Sequence, residues 1–362
     1  MYIVLLEKLE KYDWKDIYNF LANNIKYIHN NTFQHKKILI KPNFLRPSQP
    51  DKAIITHPEI IKGVINFFKD SGAKIIVGDS PGFGNIYKVI EKASLTDFFK
   101  KNNIIISDFS KTKKITSKGF IFRELDLPVD IIESNYIVNI PKLKTHQMMY
   151  LTMAVKNLYG CIYGLKKVSY HLTAGKDYKI FASLLLDIYA TLNPQINILD
   201  GIIGMEGNGP SSGTTRHFGL IALSNNALSL DRVVSEILKV PYQKVPYLKI
   251  AEERKLKEAD MSQIQVWGKE KFFSLNEIKP PPNYASNFSL PSFINNFINS
   301  FLISYPEATK GCKACGICKK HCPAKAITIV TKAVINKAKC IRCFCCQELC
   351  EHNAIKTKKR II

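Results

Sequence analysis

Two stretches near the C-terminus share one spacing. The first reads Cys312-Lys-Ala-Cys315-Gly-Ile-Cys318-Lys-Lys-His-Cys322-Pro323, and the second Cys340-Ile-Arg-Cys343-Phe-Cys345-Cys346-Gln-Glu-Leu-Cys350. Each contains Cys-x-x-Cys-x-x-Cys-x-x-x-Cys, offset by 28 residues. A 4Fe-4S cube needs four thiolates. Two-residue spacers let one tight loop present three of them, and the fourth comes from the other half of the repeat. The spacing therefore predicts one cluster on Cys312, Cys315, Cys318 and Cys350, and a second on Cys340, Cys343, Cys346 and Cys322. Cys345 is an extra thiol inside the second run and is read as a non-ligand. Zinc sites pair two Cys-x-x-Cys units across a longer gap and do not add a fourth cysteine after three residues.

The repeat continues past its cysteines, Cys322-Pro-Ala-Lys-Ala-Ile327 being answered by Cys350-Glu-His-Asn-Ala-Ile355. This segment resembles the duplicated half of a bacterial-type ferredoxin. Glu351 stands where the first half has Pro323, a small departure from that pattern.

Nine of the ten cysteines follow residue 311, which suits a metal site and not a distributed disulfide framework. Free thiols and labile clusters point to a reducing compartment. The start, Met1-Tyr-Ile-Val-Leu-Leu-Glu-Lys8, has no basic leader, and no apolar run reaches the length of a membrane span. A cytoplasmic location is the expectation.

The formal net charge is +22, and residues 311–362 hold twelve Lys/Arg against two Asp/Glu. Part of that charge offsets anionic clusters. The remainder favours an acidic electron-transfer partner or an anionic small molecule. No interleaved aromatic and basic motif or recognition helix marks a nucleic-acid binder.

Upstream, short apolar strands alternate with helices. A helix is expected over 16–29 and a strand at Lys37-Ile-Leu-Ile-Lys41. Thr56 followed by His57-Pro58-Glu59 is a helix start with Pro at an early helical position. Strands are expected over 73–77, 103–107, 136–140, 195–199 and 218–223, and helices over 86–101, 178–192 and 231–238. Residues 111–130 read as an excursion and 240–290 as irregular. The fold class is therefore α/β, a mainly parallel sheet with helices on both faces, joined to an α+β ferredoxin-type two-cluster domain. The expected boundaries are 1–290 for the α/β domain, with its core at about 36–240. Residues 291–310 follow as a linker carrying a docking helix over 293–302, then 311–362.

In open parallel sheets, ligands bind at the carboxyl ends of strands. Four polar turns are expected there: Lys41-Pro-Asn43, Gly78-Asp79-Ser80, Asn139-Ile-Pro-Lys142 and Asp200-Gly201. Lys41, Asn43, Lys142, Lys144, Lys156, Asn157 and Asp200 are the candidate substrate-binding residues. His146, Asp79 and Glu206 are the candidates for proton transfer, Glu206 lying in the glycine-rich stretch 204–210. Each has a bland alternative: a turn cap for Asp79, a solvated strand exit for Lys41, a satisfied core histidine for His146. Neither a dinucleotide fingerprint nor a phosphate-binding Gly-x-x-x-x-Gly-Lys-Ser/Thr loop is present, and Cys161 reads as buried and inert.

Five motifs in order, Lys41-Pro42-Asn43, Gly78-Asp79-Ser80, Pro141-Lys142-Leu-Lys144-Thr145-His146, Lys156-Asn157-Leu-Tyr-Gly160 and Asp200-Gly201…Glu206-Gly-Asn-Gly209-Pro210, resemble domain-of-unknown-function family 362 over about residues 36–240. The resemblance implies this architecture, often with a C-terminal ferredoxin module, and a site location without a named reaction. Met148-Met149-Tyr150 departs from the pattern and is expected to narrow any pocket beside it. Three activities suit these features: an iron–sulfur oxidoreductase, an electron carrier or assembly factor whose α/β domain binds a partner, and a non-redox enzyme with structural clusters.

Overall fold

Alternate residues of a β-strand point to opposite faces, so a strand covered on both sides must be apolar throughout. In the computed structural model, which describes residues 1–30, 32–272, 275–282, 284 and 302–361, the short apolar runs form one ten-stranded sheet. Its first strands are β1 (Tyr2–Lys8), β2 (Lys37–Pro42), β3 (Lys74–Gly78) and β4 (Ile105–Ser107). A separate hairpin, β5 (Thr112–Thr116) and β6 (Glu124–Pro128), accounts for the excursion. The sheet resumes with β7 (Tyr136–Ile140), β8 (Lys142–His146), β9 (Tyr150–Thr152), β10 (Ile196–Glu206), β11 (Thr214–Ser224) and β12 (Ile264–Trp267). The order is β12-β1-β11-β10-β7-β2-β3-β4, with β8 beside β10 and β9 beside β8. From β10 to β4 the pairing is parallel, whereas β11 runs antiparallel to both β1 and β10.

Leu39, Ile76, Ile137 and Leu199 enter the core on one face, under the helices Tyr178–Leu192 and Ala227–Ile237. Ile38, Ile40, Ile75 and Val138 enter the other, under Trp14–Ile28 and Pro58–Asp70. Asp13, Asp177 and Asn226 cap three of these helices by accepting a first-turn backbone N–H.

Several expectations shift. His57, not Thr56, caps Pro58–Asp70, because the Thr56 hydroxyl is already donated to the Ile140 carbonyl, 2.7 Å away. The helix expected over 86–101 is two, Ile86–Lys92 and Thr96–Lys101, divided where Ser94 turns left-handed. The residues after Pro141 and after Leu199, expected as turns, are the strands β8 and the second half of β10. Each pairs with the other and so satisfies its backbone without a turn. β12 and the helix Pro246–Glu253 lie in the segment read as irregular, and β1 was not expected.

The helix expected over 293–302 falls outside the described residues except at Leu302. That residue begins β13 (Leu302–Ala308), which pairs antiparallel with the last strand, β16 (Ile355–Ile361). Residues 302–308, expected within the linker 291–310, therefore belong to the C-terminal unit. Between them lie the hairpin β14 (Ile327–Ile329) and β15 (Ala333–Ile335) and two short helices, Ile317–Lys320 and Cys345–Glu348. The repeat extends to the backbone. Left-handed residues recur 28 positions apart at Ala314 and Arg342, Gly316 and Phe344, and Lys325 and Asn353.

Candidate functional site

Four cysteines surround each of two small cavities of about 20 Å³ in the C-terminal unit. Cys312, Cys315, Cys318 and Cys350 line one, and Cys322, Cys340, Cys343 and Cys346 line the other. Backbone amides converge on the sulfurs, one pair of them, Ala326 and Ala354, in matched positions. Ala326 donates to Cys322 Sγ and Ala354 to Cys350 Sγ, both at 3.3 Å, while Ala333 donates to Cys312 Sγ and Arg342 to Cys340 Sγ at 3.4 Å. Burial raises the Cys340 pKa, and the Arg342 amide opposes that shift. Among the described residues, no three His, Cys, Asp or Glu side chains converge tightly enough to hold a single metal ion. The cysteines line cavities and do not close on a point.

A third cavity, of about 400 Å³, lies between the two units. The sheet unit contributes Lys41, Asn43, Asp79, Lys144, His146, Lys156 and Asn157, seven of the ten sites expected from the sequence. The C-terminal unit contributes His321, Pro323, Cys345, Glu348 and Leu349.

Most of the seven are fastened into the wall. Lys41 Nζ lies 2.9 Å from Asp79 Oδ1 with both side chains buried, and Asp79 also accepts the amides of Phe44 and Ser80. Gly160 seals this pair: a Cβ there would lie 2.3 Å from Asp79 Oδ1 and 2.6 Å from Lys41 Nζ. Lys144 donates to Asn43 Oδ1 at 2.5 Å and to the Ile54 carbonyl at 2.7 Å. Burial, with Lys142 nearby, lowers its pKa well below that of an ordinary lysine. Asn43, Asn157 and Asn139 continue an amide network into the core.

Lys156 differs. It sits in the short helix Ala154–Asn157, whose first two amides donate to Asp231 Oδ1 and Oδ2 at 2.7 and 2.9 Å. Its ammonium lies 5.3 and 5.7 Å from the ring centres of Tyr159 and Phe181 and, among the described residues, has no hydrogen-bonded or ion-paired partner. Burial lowers its pKa, and Glu348 opposes that shift.

His146 faces the other unit. Its Nδ1 accepts the amides of Met148 at 3.0 Å and Met149 at 3.2 Å, so the proton of the neutral ring resides on Nε2. Nε2 lies 2.9 Å from Glu348 Oε1, outside hydrogen-bond alignment. Burial and the charge of Lys156 lower the His146 pKa. Burial also pushes the Glu348 carboxyl upward, but His146 and Lys156 outweigh it and hold the group ionised. Met148 lines a separate groove with Gln147 and Tyr284, and the backbone amides of Met148 and Met149 fix the histidine tautomer from behind.

Three expected residues lie elsewhere. Lys142 and Asp200 form a buried pair at 2.8 Å, closed by the Tyr12 hydroxyl and the His57 amide. Glu206 is held by Arg216 at 3.0 Å and by the Lys279 amide at 3.1 Å. The glycine-rich stretch after it docks the C-terminal unit. Gln347 Nε2 donates to Asn208 Oδ1 at 2.8 Å, and Ser212 Oγ to Asn353 Oδ1 at 2.9 Å.

Among the cavity residues that were not anticipated are Lys167, His171, Cys345 and Glu348. Lys167 donates to the carbonyl and hydroxyl of Ser80, and burial lowers its pKa to about 8. His171 stacks on Phe181 at 4.5 Å, with Nδ1 buried and unpartnered. Cys345 and Glu348 come from the helix between the second set of cysteines. Glu348 carried a signal, being one of two carboxylates after residue 311; Lys167 and His171 carried none.

Residues 38–236 match the family described as "Domain of unknown function (DUF362)". A thylakoid-associated protein of Synechocystis sp. is 35% identical over 218 residues, which span 60% of this chain and 67% of that protein. The lactate racemase apoprotein from Thermoanaerobacterium thermosaccharolyticum superposes with a TM-score of 0.41 and 12% identity. The match covers 62% of this chain and 54% of that one, so this chain spans about half of its length. Among the described residues, no helix is long and apolar enough to cross a membrane.

Proposed function

This chain belongs to the DUF362 family, and from that premise we propose that it is an iron–sulfur oxidoreductase that uses electrons on an anionic ligand held between its two units. One observation carries the reading. The helix Cys345–Glu348, which contains Cys346 and lies between Cys343 and Cys350, contributes Cys345 and Glu348 to the cavity that Lys156 and Lys167 also line. The eight remaining cysteines of the C-terminal unit supply two four-thiolate sets, each around its own cavity, and this donor chemistry fits 4Fe-4S cubes. When bound, such clusters supply single electrons.

The protein's own groups would do the rest. Lys156, which among the described residues has no hydrogen-bonded or ion-paired partner, binds the ligand's negative charge, and the rings of Tyr159 and Phe181 keep its ammonium at the cavity. Lys167 adds a second cation anchored on Ser80. His146 holds a proton on Nε2 at the wall, with its other nitrogen locked by two amides. Lys41, Asp79, Lys144 and Asn43 serve as a rigid, internally satisfied lining, since their polar atoms already have partners. A reducing compartment such as the cytoplasm suits thiolate sets of this kind.

The test begins with anaerobically purified protein, for which about eight iron and eight sulfide per chain are expected. The dithionite-reduced protein is then mixed with small carboxylates and phosphates while cluster absorbance is followed. Reoxidation that depends on one such anion supports the reading. Reoxidation indifferent to all of them removes the delivery half and leaves the metal half standing.

A further inference from the structure

The two halves of the cysteine repeat share a backbone path but not an environment. Cys315 is exposed, whereas its counterpart Cys343 is only 8% exposed. The second half turns toward the sheet unit, where Cys345, Glu348 and Leu349 line the inter-unit cavity. The first half reaches that cavity only through His321 and Pro323, while Lys313, Cys315, Lys319 and Lys320 are exposed.

Charge and apolar surface gather at that outward edge. From Ala308 to Gln347 the chain has nine Lys/Arg and no Asp or Glu. Lys313, Lys319, Lys320 and Lys332 are all exposed. Among them stands the hairpin of β14 and β15, with Val330 73% and Val334 48% exposed. The hairpin touches the thiolate set directly. The Ala333 amide donates to Cys312 Sγ, and Ile329 lines the same cavity as Cys312 and Cys315. An apolar centre ringed by charge of one sign suits a small, transient protein contact, with charge steering the encounter and a modest apolar area fixing it.

We propose that an acidic electron-carrier protein docks on this hairpin and on residues 312–320, so that electrons are taken up at the exposed edge and used at the buried cavity. This rests on the iron–sulfur reading above. In the step itself the carrier is oxidised by one electron and the site of Cys312, Cys315, Cys318 and Cys350 is reduced by one. No bond forms or breaks and no proton moves. The rival surface is the groove lined by Lys176, Lys179, Lys244, Lys249 and Arg342 beside the other cysteine set. There the thiolate set behind the surface is more deeply buried, and Lys249 is already engaged with Glu253 at 3.8 Å.

The test uses the whole protein, with iron counted in every preparation, and a plant-type [2Fe–2S] ferredoxin as the acidic probe. Stopped-flow reduction by the reduced probe and calorimetric binding of the oxidised probe are measured at low and high salt. Lys313→Glu with Lys332→Glu, and separately Val330→Ser with Val334→Ser, are expected to slow reduction and weaken binding by about tenfold or more. The charge variant should also flatten the salt dependence. Lys176→Glu with Lys179→Glu should change neither, and dithionite should reduce all variants alike. A loss confined to the groove variant, or rates and binding indifferent to the hairpin, would overturn the proposal. Absence of iron from the unaltered protein would instead remove the reading beneath it.

Discussion

His146 Nε2 stands 2.9 Å from Glu348 Oε1 across the boundary between the sheet unit and the cysteine-rich unit. The histidine ends β8 and the glutamate ends the helix Cys345–Glu348, so the contact joins the cavity wall to the loop of the second cysteine set. The other ring nitrogen is occupied by two amides, so the imidazole cannot rotate away without leaving buried donors unpaired.

That geometry separates two roles of His146. His146→Ala should destabilise the fold by about 1–3 kcal/mol, the usual cost of orphaned buried donors. His146→Asn places an acceptor near the position of Nδ1 and should recover most of that loss, while leaving Glu348 without its neighbour. Denaturant unfolding of the two variants checks this. Equal destabilisation by both would show that the amide contacts do not matter.

The Lys142–Asp200 pair should behave as structure. Asp200 also accepts the Tyr12 hydroxyl and the His57 amide, both at 2.8 Å. Lys142→Met strands a buried carboxylate, for which a loss of about 3–5 kcal/mol is expected. Anion affinity at the cavity should stay within twofold of the unaltered protein at temperatures where both are folded. A large affinity loss without a stability loss would return Lys142 to the ligand.

Gly160 should tolerate no side chain. The backbone passes so close to Lys41 and Asp79 that Gly160→Ala must push the buried pair apart, at a cost of about 1–3 kcal/mol. Gly164, where an added Cβ would meet nothing within 4 Å, provides the control for space, although its φ of +55° carries its own strain. A thermal-unfolding midpoint for Gly160→Ala at or above that of the parent would contradict the close approach.

Much of the fold was legible because strands buried on both faces are apolar throughout and need little context. Tyr136–Ile140 and Tyr178–Leu192 stand where the sequence puts them. The misses share a cause. Lys142, Lys144 and Asp200 look like turn residues, yet they lie in buried strands because each ionic or polar head finds its counterpart within the fold. Sequence spacing cannot show that neutralisation. It gave no view of Lys167 or His171 either, since their role arises only where the chain folds back beneath the C-terminal unit. Glu348 was readable in principle, as a rare acid in a basic segment.

Lys167 should impose a pH limit on the cavity. Burial lowers its pKa to about 8, with Asp79 opposing and Lys41 and Lys156 assisting. Its ammonium is therefore present below about pH 8 and lost above. Sulfate, which does not titrate in this range, should bind several-fold more weakly at pH 9 than at pH 7. The stability sign is the reverse of affinity. The unfolded lysine keeps its proton to about pH 10.4, so between about 8 and 10.4 the unfolded state binds more protons and stability rises with pH. Lys167→Arg should abolish the affinity change, and an unchanged profile in that variant would assign the transition to another group.

The crossed pairing of the cysteines makes the sharpest prediction. Cys350 lies in the second stretch of sequence but lines the cavity of Cys312, Cys315 and Cys318, and Cys322 lies in the first but lines that of Cys340, Cys343 and Cys346. Cys350→Ala and Cys312→Ala should therefore remove the same iron, leaving about half of the total, and the double variant should lose no more than either alone. Cys350→Ala with Cys340→Ala should lose nearly all of it. Cys345 belongs to neither set and faces the inter-unit cavity, so Cys345→Ala should keep its full iron and sulfide. Iron and sulfide analysis, with electron paramagnetic resonance of the reduced proteins, separates these outcomes. If Cys350→Ala and Cys340→Ala instead removed the same iron, the second stretch would hold its own cluster. The opposed environments of the two halves would then no longer describe two distinct electron sites.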